Sequence, residues 1–178
     1  MEEKANVPFW KPALIYGAIV GVVGIVISLV FYFLNVMTAG WVSWVSILIS
    51  IAILAYCLVA YRNEHLGGFA SFGQLFVMGL VIGIVASILS AAYTYILYTY
   101  IDPDLVEKIK VAAEEKIMNN SRIPESMYDS IFEKMEKRMS VSRMTVMALI
   151  AGPIVNGILS LIIAAFVKRE QNPVGNSV

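Results

Sequence analysis

"LGGFASFGQLFVMGLVIGIVASILSAAYTYILYTYI", Leu66 to Ile101, is thirty-six residues without a charge. As one helix at 1.5 Å per residue it would be about 54 Å long, well beyond the ~30 Å hydrocarbon core of a bilayer. Something must break it. Gly67, Gly68 and Gly73 sit near its start, and glycine weakens helix. This spacing predicts a membrane helix over about 72–100, entered from an interfacial turn at Leu66 to Ser71.

Three further runs carry no charge: Ala13 to Leu34, Trp41 to Tyr61 and Met144 to Val167. An apolar stretch of about 18 or more residues reads as a membrane span. The 178-residue chain is 59% hydrophobic and 15% charged, against about 25% charged in soluble domains. Too little amphipathic helix remains to bury four such runs inside a soluble fold. The reading is an all-α integral membrane protein, a single membrane domain with spans at about 13–34, 41–61, 72–100 and 144–167. The first run is too long for a signal-peptide core and lacks a small-x-small cleavage site. Cys57, the single cysteine, can close no internal disulfide. A net charge of zero gives no bulk attraction to nucleic acid.

Aromatic residues gather at the predicted ends. Phe31, Tyr32, Phe33, Trp41, Trp44, Tyr95, Tyr98 and Tyr100 fall at one boundary; Trp10, Tyr16, Tyr61 and Phe69 fall at the other. Tyr and Trp favour the headgroup zone, where one end of the ring is dry and the other wet. Residues 102–143 are polar. In "IDPDLVEK", Asp102 is placed to cap a helix, with Pro103 at its first position and Asp104 at its positive end. Leu105, Ile109, Ala112 and Ile117 recur at helical spacing. "NNSRIP" interrupts, and a second helix is expected from about Pro124. The segment holds nine acidic and eight basic residues, a mixture that suits helix packed on helix rather than helix on lipid. It is read as an extramembrane helical hairpin between helices three and four, capping one mouth of the bundle. Six methionines cluster in and beside it: Met118, Met127, Met135, Met139, Met144 and Met147. With no His or Cys beside them they read as core filling rather than a Cu(I) site.

Lys4, Lys11, Arg62, Lys168 and Arg169 flank the side that holds both termini and the second loop, and the first loop has no basic residue. Basic residues at helix ends favour the cytoplasmic face, which places the termini inside and the hairpin outside.

Helices surrounded by lipid tails associate through close approach at small residues. Gly17, Gly21, Gly24 and Ser28 line the first span, and Ser46 and Ser50 mark the second. Gly79, Gly83, Ser87 and Ala91 form a row on the third. Ala148, Gly152, Asn156, Ser160 and Ala164 form a row on the fourth. The common reading is packing within the chain; a dimer face is the alternative. Pro153 removes a backbone donor and is expected to kink the fourth span, with Asn156 and nearby Ser residues satisfying freed groups. Asn156 is the one strongly polar side chain deep in a span and reads as interhelical glue.

Arg62, Glu64 and His65 are the closest approach to a chemical site. His titrates near neutral pH and Glu could orient it. Equally, Arg62 could serve as a helix-end cation with Glu64 as its ion partner. No second His, cysteine pair or carboxylate cluster completes a metal or catalytic set. "GGFASFG" lacks the Gly-Lys-Ser/Thr ending of a phosphate loop. Gln74 is placed to donate across the bundle. The spans carry no ionisable side chain of the kind that marks an ion or proton path.

Tyr61, Arg62 and Glu64, then Gly68, Ser71, Phe72, Gly73 and Gln74, then a small-residue-rich span and a Tyr-rich end before Asp102 and Pro103, resemble a known pattern. It is that of the bacterial membrane proteins grouped as domain of unknown function four-one-nine-nine, found mainly in Bacteroidetes. The resemblance covers nearly the whole chain. It implies a bacterial inner membrane and supplies no activity. The residues themselves favour a non-enzymatic helix bundle that assembles with itself or docks a membrane partner. The alternatives are a transporter or pore subunit, with the Arg62 to Gln74 element at its mouth, and a membrane enzyme on lipid or quinone using Glu64 and His65. No cofactor or metal is expected; the bilayer itself is the one assured partner. The candidate residues are Arg62, Glu64, His65, Gly68, Ser71, Gln74 and Asn156.

Overall fold

A computed structural model describes residues 9–170; Lys4, counted in the charge asymmetry, lies outside them. The described chain is helical. α1 spans Trp10–Phe33, α2 Gly40–His65, α3 Phe72–Ile96, α4 Leu105–Met118, α5 Tyr128–Arg138 and α6 Val141–Val167. α3 continues as a π-turn over Leu97–Ile101, and a 3₁₀ turn at Glu125–Met127 precedes α5. Four helices are long and apolar enough to cross a bilayer: α1, α2, α3 with its π-turn, and α6.

The helices differ from the expected spans at several ends: α1 begins at Trp10 and α6 at Val141, each three residues ahead of its uncharged run. α2 runs one turn past the last uncharged residue, to His65, because a polar turn of helix can stand in the headgroup zone beyond the apolar core. α4 starts at Leu105 rather than Pro103, with Asp104 at its N-cap and no side-chain cap bond. The Asp102 N–H instead closes the π-turn on the Leu97 carbonyl at 2.8 Å. Its carboxylate accepts from the Tyr32 hydroxyl at 3.2 Å and from Lys108 Nζ at 3.1 Å.

α3 is the central helix. Of its most apolar stretch 44% is buried, against 17–22% in the other three spans. Its glycines explain why. A Cβ added at Gly79 would meet Ser160 Cβ at 2.7 Å; at Gly83 it would meet Asn156 Cβ at 2.5 Å. From the α6 side, a Cβ at Gly152 would meet Ser87 Cβ at 2.5 Å. These pairs step four residues forward on α3 and four back on α6, so the helices run antiparallel with their small-residue rows face to face. α1 lies parallel on another side of α3: a Cβ at Gly17 would meet Val85 at 2.5 Å and one at Gly21 would meet Leu89 at 2.8 Å. α2 contributes Leu54, Cys57, Leu58 and Tyr61 to the core, which includes Leu75, Met78, Ile82 and Ile163.

Five Ser and Thr hydroxyls in the spans bond their own helices, whereas the buried Tyr93 hydroxyl on α3 has no partner among the described residues. Ser46 donates to Val42, Ser50 to Ser46, Ser87 to Ile84, Thr145 to Val141 and Ser160 to Asn156 carbonyls. Asn156 does the same, its Nδ2 donating to the Gly152 carbonyl at 2.9 Å. The expected interhelical glue is therefore a local bond, and Asn156 contributes to the α3–α6 contact by shape. Among the described residues, side-chain hydrogen bonds between spans or onto a neighbouring loop occur only at the two ends of the bundle. α6 is unbroken helix through Pro153.

Between α3 and α6, α4 anchors to the first loop. Leu105 and Val106 are buried and Lys116 Nζ donates to the Thr38 carbonyl at 2.6 Å. α5 touches α4 and the turn before it, and buries no residue fully. Half of the methionines are not the core filling expected: Met118 and Met127 are each 49% exposed and Met147, on α6, is 60% exposed, while Met135, Met139 and Met144 are partly buried. The segment is too thin to enclose both faces of its helices.

Candidate functional site

Six of the seven candidate residues converge on one end of the bundle, where α2 ends, α3 begins and α6 ends. Arg62, Glu64 and His65 occupy the last turn of α2. The chain then reverses through Gly67 and Gly68, at φ 66° and 88°, the left-handed region that side chains with a Cβ avoid. The Gly68 N–H closes the turn on the Arg62 carbonyl at 2.9 Å. Ser71 then caps α3. Its hydroxyl accepts from Gln74 N–H at 3.3 Å and its own N–H donates to Gln74 Oε1 at 2.9 Å. This reciprocal pair satisfies two donors that a helix start leaves unpaired. Gln74 therefore serves its own turn and does not reach across the bundle. Asn156 lies apart: its neighbour Gly83 is nine residues beyond Gln74, about 13 Å along the helix axis.

The charged residues choose other partners than the sequence suggests. Arg62 Nη1 donates to the Val167 carbonyl at 2.8 Å and Nε to Asn63 at 3.0 Å. It thus serves a free carbonyl at the end of α6, and no Arg62–Glu64 ion pair forms among the described residues. The Glu64 carboxylate accepts from the buried Tyr16 hydroxyl at 2.9 Å, which ties α1 to α2. His65 is exposed, with its ring 5.8 Å from Tyr61 and 6.2 Å, edge to face, from Tyr16. Glu64 and His65 share no hydrogen bond. A backbone bridge fastens the turn to the end of α6: Ala70 N–H donates to the Arg169 carbonyl at 2.9 Å and Arg169 N–H to Ala70 at 3.0 Å. The Arg169 guanidinium lies 5.6 Å from the Phe69 ring centre.

Chemically, this end is a clamp with donors and cations facing outward. Among the described residues no group of three or more His, Cys, Asp and Glu side chains is placed to hold a metal. Tyr16 and the Val167 carbonyl were not legible as participants, because each meets its partner across one or more whole spans. The opposite end carries a second network the sequence reading missed: Tyr32, Asp102 and Lys108 around a small cavity of about 130 Å³. Asp102 was visible there but read as a helix cap.

A family model described as protein of unknown function (DUF4199) matches residues 15–169, from the residue before Tyr16 to Arg169 of the bridge. No curated protein and no solved structure matches the chain.

Proposed function

The chain belongs to that family of unknown function, and from there we propose that it is a non-enzymatic membrane bundle whose α4–α5 segment docks a partner protein. The observation that carries this reading is the state of α5: eleven residues of helix with no fully buried side chain, joined to an α4 that is anchored at its start. Val111, Met118 and Met127 stand 46–49% exposed on this segment, outside the four candidate spans. Methionine side chains adapt to varied partners. Gln74 and Asn156 are far apart, and Asn156 with the bonded Ser and Thr hydroxyls of the spans serves its own helix, which disfavours a carrier path between them. Glu64 and His65 face different partners, which disfavours their acting together on a lipid or quinone.

Lys11, Arg62, Lys168 and Arg169 lie at the end that holds the α2–α3 turn. We therefore assign that end and both termini to the cytoplasm of a bacterial inner membrane, with α4 and α5 on the far side.

The test is purification in mild detergent from native cells, comparing the natural chain with one in which 128–138 is replaced by a Gly/Ser linker. A companion in fixed proportion is expected with the first and not with the second, while both unfold at about the same temperature. A natural chain that elutes alone, or a companion indifferent to α5, would overturn the reading.

A further inference from the structure

An open pocket of about 310 Å³ lies between the α2–α3 turn and the end of α6. It sits where two spans reach the bilayer boundary, α3 starting at Phe72 and α6 ending at Val167. One wall is apolar, from Leu66 and Phe69; the rim is polar, from Ser71, Gln74 and Arg169. Arg169 is fixed at the backbone by its two bonds to Ala70 and braced over Phe69, while its side chain stays accessible. Among the described residues no carboxylate lies within 4.0 Å of it, and Glu170, also on the rim, pairs with Lys168 at 3.7 Å. Ser71 and Gln74 spend acceptor capacity on each other's backbone N–H groups. Those two bonds leave the hydroxyl hydrogen of Ser71 and the amide hydrogens of Gln74 unspent on the rim. The rim thus offers a cation fitted for bidentate phosphate contact and two neutral donors, beside an apolar wall.

We propose that this pocket binds the headgroup of an anionic phospholipid, with Arg169 as its cation and Ser71 and Gln74 as its donors. The boundary position and the apolar wall select an amphiphile over a free anion: the phosphate meets the rim while the glycerol and upper acyl carbons lie on Leu66 and Phe69. The proposal stands apart from partner docking by α5, which uses the other end of the molecule.

The experiment titrates the purified full chain in neutral detergent with phosphatidylglycerol, phosphatidylcholine or glycerol phosphate, and reads bound lipid by native mass spectrometry and the unfolding temperature. Phosphatidylglycerol is expected to bind and stabilise, with the other two weaker. Arg169→Gln is expected to weaken that binding by about fivefold or more, in keeping with one cation at an anionic headgroup. Gln74→Glu separates binding from folding. A glutamate at this position still closes the capping box, so helix and unfolding temperature without lipid are retained, yet a donor becomes a negative charge and affinity falls. Arg143→Gln, at the start of α6, serves as control and changes nothing. Equal binding of phosphatidylglycerol and phosphatidylcholine overturns the site. So does Gln74→Glu with natural affinity. Equal stabilisation by glycerol phosphate overturns the lipid assignment.

Discussion

Tyr16 and Glu64 show what single residues contribute here. The hydroxyl is buried in α1 and its acceptor is a carboxylate 48 residues away on α2. A hydrogen bond to a charged group is worth roughly 1.5–3 kcal/mol, and an exposed carboxylate lowers that figure. Tyr16→Phe should therefore cost about 1 kcal/mol in reversible unfolding in micelles. Glu64→Gln, whose carboxamide still accepts, should cost less. Equal stability of Tyr16→Phe and the natural chain would remove the bond from the account. At this scale the sequence was legible only for local partners. Ser71 and Gln74, three apart, carry the signature of a capping box, and the structure closes it; the charged residues just before them are what make the stretch a candidate motif. Arg62 and Glu64 were paired in the reading because they are close in the chain. Their real partners come from α6 and α1, which no spacing announces.

Elements were more legible, because a bilayer imposes length and polarity on whatever crosses it. Charge-free runs located all four long helices. Small-residue rows on α3 and α6 pointed to close packing, and the structure places those rows against each other. The π-turn after α3 left no sequence sign, since its closing bond depends on where Asp102 sits against Tyr32 and Lys108. Helix pairing by shape has a testable consequence. Gly79→Ala drives a methyl into Ser160 and should destabilise by about 1–3 kcal/mol. Adding Ser160→Gly removes the obstacle, so the double variant should be more stable than the sum of the single effects, with a coupling of about 1 kcal/mol or more. By contrast Gly24→Ala, whose Cβ meets nothing within 4 Å, should unfold no earlier than the natural chain. Additive losses at Gly79 and Ser160 would mean that α3 and α6 do not meet there.

The whole molecule is a bundle organised on α3, with its polar chemistry pushed to two ends. One end is a clamp of the α2–α3 turn on α6; the other joins the first loop, the π-turn and α4. Both follow from alternating passage through a slab, which returns every second connection to the same face. Sealed vesicles can read that alternation through single cysteines introduced into a Cys57→Ala background and probed with an impermeant maleimide. Thr38→Cys and Asn120→Cys should react from one side of the membrane, and Asn63→Cys and Glu170→Cys only from the other. Reaction of all four from a single side, or a chain that stays dispersed in buffer without amphiphile, would contradict four crossings.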